Sequence, residues 1–93
     1  MAIPSSFKDE LVARSDIVDV VSDYVTLTPK GGSYWGLCPF HGEKTPSFHV
    51  LPDRQLYHCF GCGKGGGVVS FVMEMENLPF LDALRLLAKR AGM

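Results

Sequence analysis

Three cysteines and one histidine have the types and spacing of a metal site. They form the pairs Cys38-x2-His41 and Cys59-x2-Cys62, with 17 residues between the pairs. Zinc sites often consist of two C-x2-C pairs about 15–20 residues apart, and here an imidazole replaces one thiolate. A glycine follows each pair and can supply the positive φ that a tight metal-binding turn needs. The sequence therefore predicts one structural Zn²⁺ with four protein ligands and no open position for catalysis.

Two other histidines compete with His41 for the role of fourth ligand. His58 precedes Cys59, and in a strand it would point to the opposite face, while His49 lies in the middle of a predicted hairpin. His41 is therefore the preferred ligand. The alternatives for the cysteines are inert buried thiols or a redox pair, and the redox pair would need a βαβ context that predicted hairpins do not offer.

Length and composition favour a small metal-stabilised domain. A chain of 93 residues buries only about 60 to 65 per cent of its unfolded surface, so a structural metal would add needed stability. Nine Lys and Arg against ten Asp and Glu give a net charge of −1, which restricts any nucleic-acid binding to a local basic patch.

The cysteine count and the apolar runs indicate the compartment. Three cysteines do not suit a disulfide framework and are typical of the reducing cytosol. Asp9 and Glu10 interrupt any apolar signal-peptide region, and no apolar run approaches the roughly 20 residues needed to span a bilayer. We therefore expect a cytoplasmic protein with no membrane role.

The periodicity predicts one α+β domain over 1–93, with an antiparallel sheet flanked by helices. It divides into a helical N-terminal region 5–23, a β and zinc core 25–63, and C-terminal helices 67–91. The predicted strands are 25–28, 34–37, 47–51 and 55–58, paired by turns at 29–33 and 52–54.

Capping residues and apolar stripes define the predicted helices. Ser6 is the predicted N-cap of a first helix that ends near Arg14, and Asp16 begins a second helix. The C-terminal helices are expected to pack on the sheet, with Pro79 at the start of the last one. The apolar stripe of that last helix consists of Phe80, Leu81, Leu84, Leu87, Ala88 and Ala91.

Three segments resemble a known family. They are SDIVDVV at 15–21, GLCPFHGEKTPSF at 36–48 and YHCFGCG at 57–63, followed by Gly-Gly and Phe-Val-Met. Together they resemble the N-terminal zinc-binding domain of bacterial DnaG-type DNA primases, over nearly the whole chain.

The resemblance implies a zinc ribbon in a bacterial protein that synthesises RNA primers on single-stranded DNA during replication. In that family the zinc domain helps to recognise the template at the initiation site. A separate polymerase domain transfers nucleotides with Mg²⁺, and a further domain contacts the replicative helicase. We expect neither domain in these 93 residues, and since no acidic or nucleophilic constellation suits phosphoryl transfer, we expect no catalytic residue.

Single strands bind to basic grooves that carry aromatic platforms. The candidate template contacts are therefore Lys30, Trp35, Lys44, Arg54 and Tyr57. Most other aromatic rings are expected in the core, including Phe40, Phe48 and Phe60.

Each candidate has a structural alternative. Trp35 and Tyr57 are also candidates for the core, and Lys30 and Arg54 are also ordinary turn residues. Lys44 lies in the segment that resembles the family's zinc loop and would also compensate thiolate charge. Because the first turn is Gly31-Gly-Ser33, where relatives often carry basic residues, we expect weak binding, with a salt slope near −2 if three cations each contribute roughly 0.7.

The sequence is compatible with two other functions. The chain could be a protein-docking zinc ribbon that positions the polymerase domain without contacting bases, which an exposed apolar strip on the last helix would favour. It could also be the zinc domain of a phage or plasmid primase-helicase.

Overall fold

The computed structural model describes residues 5–40 and 46–92 and has an α+β fold. The helices are α1 (Ser5–Arg14), α2 (Ile17–Ser22), α3 (Val68–Glu76) and α4 (Phe80–Ala91). The strands are β1 (Thr28–Lys30), β2 (Ser33–Gly36), β3 (Phe48–Leu51), β4 (Leu56–Cys59) and β5 (Gly65–Gly66). They form one antiparallel sheet in the order β1-β2-β3-β4-β5, which confirms the predicted fold class.

The helix starts agree with the prediction in one case and differ in another. Asp16 is the N-cap of α2, and its side chain accepts a hydrogen bond from the N–H of Asp19 at 3.2 Å. Helix α1 already begins at Ser5, so Ser6 lies inside the helix and is not its cap.

The first strand begins later than predicted. The N–H of Val25 donates to the carbonyl of Val21 at 2.9 Å, so the chain is still turning where a strand was expected. Strand β1 begins at Thr28, and the hairpin turn contracts to Gly31 and Gly32, whose φ angles are +60° and +86°. Two consecutive positive φ angles are those of a tight two-residue hairpin loop, and glycine adopts them without strain.

The short strand β5 was not predicted. Gly66 pairs with Tyr57 and Gly65 with His58. A Cβ on Gly65 would lie 3.0 Å from the Tyr57 carbonyl oxygen. Close approach of two backbones therefore requires glycine here, and glycine leaves no side-chain pattern from which a strand is predicted.

Gln55 joins the sheet to the helical layer. It lies in the turn between β3 and β4 with φ +54°. Its Oε1 accepts the N–H of Ile17 at 2.8 Å, and its Nε2 donates to Asp16 Oδ1 and to the Pro52 carbonyl, each at 2.8 Å. One amide therefore binds both the start of α2 and its own turn.

The core lies between the helices and one face of the sheet, the inner face. Helix α3 packs on the sheet as predicted, whereas α4 packs mainly on α1 and α3. Fully buried core side chains include Leu11, Ile17, Val21, Phe48, Val50, Phe71, Val72 and Leu87.

The predicted apolar stripe of α4 is buried only in part. Leu84 and Leu87 are buried, but Phe80 is 40% and Leu81 43% exposed. Phe80 continues the stripe at the edge of the contact, with Lys8 Nζ 5.7 Å from its ring centre. Leu81 lies one residue further around the helix and so faces away from the core.

Candidate metal centre and nucleic-acid face

Strand pairing brings the cysteines to one end of the sheet. Cys38 follows β2, and Cys59 is the last residue of β4. Phe48 on β3 pairs with Gly36 on one side and with Cys59 on the other, so the ends of β2 and β4 are level.

A tight turn returns Cys62 to the same place. The N–H of Gly63 donates to the Cys59 carbonyl at 2.8 Å, and the N–H of Cys59 donates to the Lys64 carbonyl at 2.8 Å. Gly63 has φ +79°, the positive value for which a glycine was predicted after the second ligand. The C-x2-C segment is therefore closed by its own backbone.

The three sulfur atoms form a cluster. They lie within 4.8 Å of one another, and Cys38 Sγ is 3.8 Å from Cys62 Sγ. A disulfide would require about 2.05 Å, whereas two thiolates on one tetrahedral zinc, with Zn–S bonds of about 2.3 Å, lie about 3.8 Å apart. The donor set and its spacing therefore fit a shared zinc ion.

The surroundings of the sulfur atoms raise the pKa of one thiol and lower the pKa of another. Burial raises the pKa of the Cys38 thiol to about 12. Burial acts in the same direction on Cys59, but hydrogen bonds from the Cys62 N–H, the Cys38 thiol and the Ser47 hydroxyl outweigh it and lower the pKa of Cys59 to about 6. The Ser47 oxygen is 3.7 Å from the Cys59 sulfur. The pocket already favours one thiolate, and a bound cation draws the remaining protons off.

His41, the predicted fourth ligand, lies outside the described residues. Lys44 lies outside them as well. The other two candidates are on the wrong face: His49 pairs directly with His58, one residue along from the buried Cys59. His49 and His58 are therefore on the face opposite to the sulfur cluster, as strand alternation predicted for His58.

Four rings of the described residues lie on that opposite face, the outer face. Trp35 and His49 stack with centroids 4.1 Å apart and planes at 17°, and His49 Nε2 is 2.7 Å from Ser33 Oγ. Phe60 lies beside them, and His58 meets the Phe60 ring edge-on at 4.7 Å. The outer face is thus an aromatic surface that no described helix covers, because the helices pack on the inner face.

The charges are divided between the two layers. None of the five described strands contains Asp or Glu, while Lys30 extends from β1 on the same face as Trp35. The described acidic residues are in helices, at helix ends or in a turn, namely Asp9, Glu10, Asp16, Asp19, Asp23, Asp53, Glu74, Glu76 and Asp82. The described helices also carry five basic residues, so with their ends they have eight acidic residues against five basic ones, whereas the strands carry Lys30 and no acidic residue. Electrostatics therefore favours a polyanion on the sheet over one on the helices.

The predicted template contacts do not all share this face. Lys30 is exposed and Trp35 half-buried, both on the outer face, and Arg54 is exposed in the turn between β3 and β4. Tyr57 is only 2% exposed and lies on the inner face. A base cannot reach a buried ring, so Tyr57 does not belong to the candidate surface.

The prediction for Phe60 was wrong in the opposite sense, because Phe60 was expected in the core and is exposed. Phe48 is buried and Phe40 half-buried, as expected, but Phe60 is 64% exposed. The outward direction of His58 was predicted, but neither His49 nor His58 was named as a template contact. Both alternate with apolar residues in FHVL and LYHC, a signal that predicts outward-facing side chains.

No helix in the described ranges is long and apolar enough to cross a membrane.

Comparison with known proteins gives consistent matches along the chain. The sequence model of a family described as CHC2 zinc finger matches residues 3–93. The chain is 51% identical over 90 residues to the DNA primase of Geobacillus stearothermophilus, a match that covers 97% of this chain and 15% of that protein. It is 57% identical over 91 residues to the DNA primase of Pseudomonas putida, covering 98% of this chain and 14% of that protein.

A solved structure is also similar. The crystal structure of the Aquifex aeolicus primase, comprising zinc binding and RNA polymerase domains, superposes with a TM-score of 0.86 at 48% identity. The match covers 90% of this chain and 21% of that chain. The chain therefore spans only a small part of the length of each of these relatives.

Proposed function

The chain belongs to the CHC2 zinc finger family, and from that premise we propose that it is the zinc-binding domain of a DNA primase that helps to recognise single-stranded template. The observation that carries the proposal is the sheet itself. Its outer face holds Lys30, the half-buried rings of Trp35 and His49 and the exposed rings of His58 and Phe60, and its described strands hold no acidic residue. Unpaired bases need aromatic faces and phosphates need cations.

The metal has a structural role in this proposal. Cys38, Cys59 and Cys62, with His41 as fourth ligand, would hold one Zn²⁺. These residues would join the loop after β2 to the turn after β4 through the ion, and its binding energy would become folding energy. The outer-face rings lie on or directly after the strands that end at this site, so a bound ion would help to keep them in register.

The intact primase supplies the chemistry. We propose that primer synthesis, a nucleotidyl transfer with Mg²⁺, takes place in a polymerase domain that acts with this domain within one protein or between two copies. A replicative helicase would be contacted through other regions. Within this assembly the present chain binds template and is not catalytic.

The single tryptophan of the chain gives a direct test. Trp35 fluorescence of the zinc-loaded chain is recorded during titration with an oligonucleotide as a single strand and as a duplex. We expect the single strand to quench the emission and the duplex to leave it unchanged, because only unpaired bases present a free face for stacking. Equal responses to both would contradict recognition of single strands.

The salt dependence tests the charged contacts. If Lys30, Lys44 and Arg54 meet phosphates, the slope of log affinity against log salt is near −2, and Lys30→Gln makes it shallower by about 0.7. Lys89→Gln is the matched control, because Lys89 is exposed in the last turn of α4 on the helical side. A slope that changes equally in both variants would contradict a sheet-face site.

A second function, protein docking, is favoured by one specific observation. Phe80 and Leu81 are consecutive at the start of α4 and both are exposed, and an apolar partner surface at this end of the helix would bury them. The test is primer synthesis by an intact primase carrying either Leu81→Glu or Lys30→Gln. If only Leu81→Glu impairs synthesis and template affinity is unchanged, docking replaces template binding as the main role.

A further inference from the structure

Phe60 is the most exposed large apolar side chain in the part of the chain that the structure describes, at 64%. It lies between two residues of the sulfur cluster, in the segment Cys59-Phe60-Gly61-Cys62. Apolar side chains scattered singly on a surface are common. Phe60 differs because three other rings of the outer face surround it.

The backbone holds Phe60 firmly. Its N–H donates to the Ser47 carbonyl at 2.9 Å, and hydrogen bonds from Cys59 to Lys64 and from Gly63 to Cys59 close the turn on either side. A metal shared by the cysteines would fix the same turn a second time. The exposed ring is therefore carried by a turn that its own backbone hydrogen bonds close.

The neighbouring rings flank Phe60 without covering it. Its centroid is 5.9 Å from that of Trp35 and 6.0 Å from that of His49, with interplanar angles of 22° and 29°. His58 packs at 4.7 Å and 66°, so it meets the ring edge-on. The ring is supported from the side and remains open to solvent.

We propose that Phe60 is a base-stacking residue, whose ring, held by the metal-binding turn, receives an unpaired nucleobase. This inference rests on the proposed function and names a contact for it. The charge of this face favours a nucleic acid over an ordinary protein partner, because the described strands carry Lys30 beside the rings and no Asp or Glu. The neighbours of Phe60 are themselves rings, two of them imidazoles, and aromatic platforms of this kind receive unpaired bases.

The experiment compares three variants of the zinc-loaded chain. Phe60→Leu removes the ring but keeps an apolar side chain, and Phe60→Tyr keeps the ring. Phe80→Leu is the matched control, since it makes the same change at an exposed phenylalanine of α4. Affinity for a labelled oligothymidylate single strand is measured by fluorescence anisotropy at low salt, after each protein is shown to bind one equivalent of zinc.

We expect Phe60→Leu to weaken binding about five-fold or more, the effect of losing one base–aromatic stack. Phe60→Tyr and Phe80→Leu should bind like the unmodified chain. If Phe60→Leu also binds normally, or if Phe60→Tyr loses as much as Phe60→Leu, Phe60 is not a stacking residue even though the chain binds template. If the unmodified chain fails to bind single strands, the proposed function and this inference are both overturned.

Discussion

The inner and outer faces of the same sheet both carry aromatic rings, and the two sets have different surroundings. On the inner face, Phe48 and Tyr57 stack with centroids 5.4 Å apart, and Phe71 of α3 closes over them. On the outer face, Trp35 and Phe60 lie beside imidazoles and no described helix packs over them. Successive side chains of one strand thus point alternately into the core and to the surface.

Under the proposed function, the inner face would provide stability and the outer face recognition. Rings of the inner face are buried by the helices, so their removal leaves cavities. Rings of the outer face contribute less to folding because water already reaches them. Substitutions on the inner face should therefore change mainly stability, and those on the outer face mainly template binding. Loss of the metal should change both.

Removal of the metal should have the largest effect, because it affects both faces together. Chelation of zinc removes binding energy on the order of 10 kcal/mol, which here is folding energy. We expect the Trp35 emission to shift as the strands separate, and circular dichroism to lose the sheet signal. Readdition of Zn²⁺, but not of Mg²⁺, should restore both signals. A sheet that unfolds in urea at the same concentration with and without chelator would contradict the role given to the cysteines.

Truncation of one ring on each face should lower the free energy of unfolding by very different amounts. Phe48→Ala should lower the free energy of unfolding by about 3–5 kcal/mol, since Phe48 is fully buried. Phe60→Ala should change it by only about 0.5 kcal/mol, as at other surface positions. Urea unfolding of the zinc-loaded chains gives both values. Equal losses would show that the outer face is part of the core.

Gln55→Ala should lower stability and leave recognition intact. It removes three hydrogen bonds of 2.8 Å and leaves the Ile17 N–H without its amide acceptor, which costs about 1–3 kcal/mol. Urea unfolding and amide exchange at Ile17 measure the loss, with Arg54→Ala as the control from the same turn. Unchanged exchange at Ile17 would contradict the role of Gln55 as a link.

Tyr24→Phe should have the smallest effect, and one that depends on pH. The Tyr24 hydroxyl donates to Glu76 Oε2 at 2.8 Å. Burial, followed by that bond and the charge of Glu76, raises the pKa of Tyr24 from 10.0 to about 12. A pKa raised by folding means that the stabilisation is complete below pH 10 and is lost as pH rises through 12.

The measurement for Tyr24 is a pair of unfolding curves. The two chains should differ by about 0.5–1 kcal/mol at pH 7, as for one exposed hydrogen bond, and the difference should shrink between pH 10 and pH 12. A difference that is constant across this range would mean that the hydroxyl is not what Tyr24 contributes.

Much of the fold follows from local patterns in the sequence. Cysteine spacing predicted the cluster because two C-x2-C-type pairs at this separation are typical of zinc sites, and apolar periodicity predicted α3. Tyr57 was misassigned although a signal existed: it is two residues before Cys59 in one strand, so the two side chains share the inner face.

Other features depend on tertiary contacts that leave no local signal. The glycines of β5 have no side chains to alternate, and Phe60 follows the end of its strand, where alternation no longer predicts a direction. The exposure of Phe80 depends on how α4 meets α1. The assignments of His41 and Lys44 stay predictions.

The most direct test of the account is residue-resolved NMR of the zinc-loaded chain, titrated with a single-stranded and with a duplex oligonucleotide. The account predicts shifts selective for the single strand at Lys30, Trp35, His58 and Phe60, with little change on the helices. Shifts concentrated at Phe80 and Leu81, or a sheet that does not respond in a folded domain, would contradict the claim that the outer face binds the template.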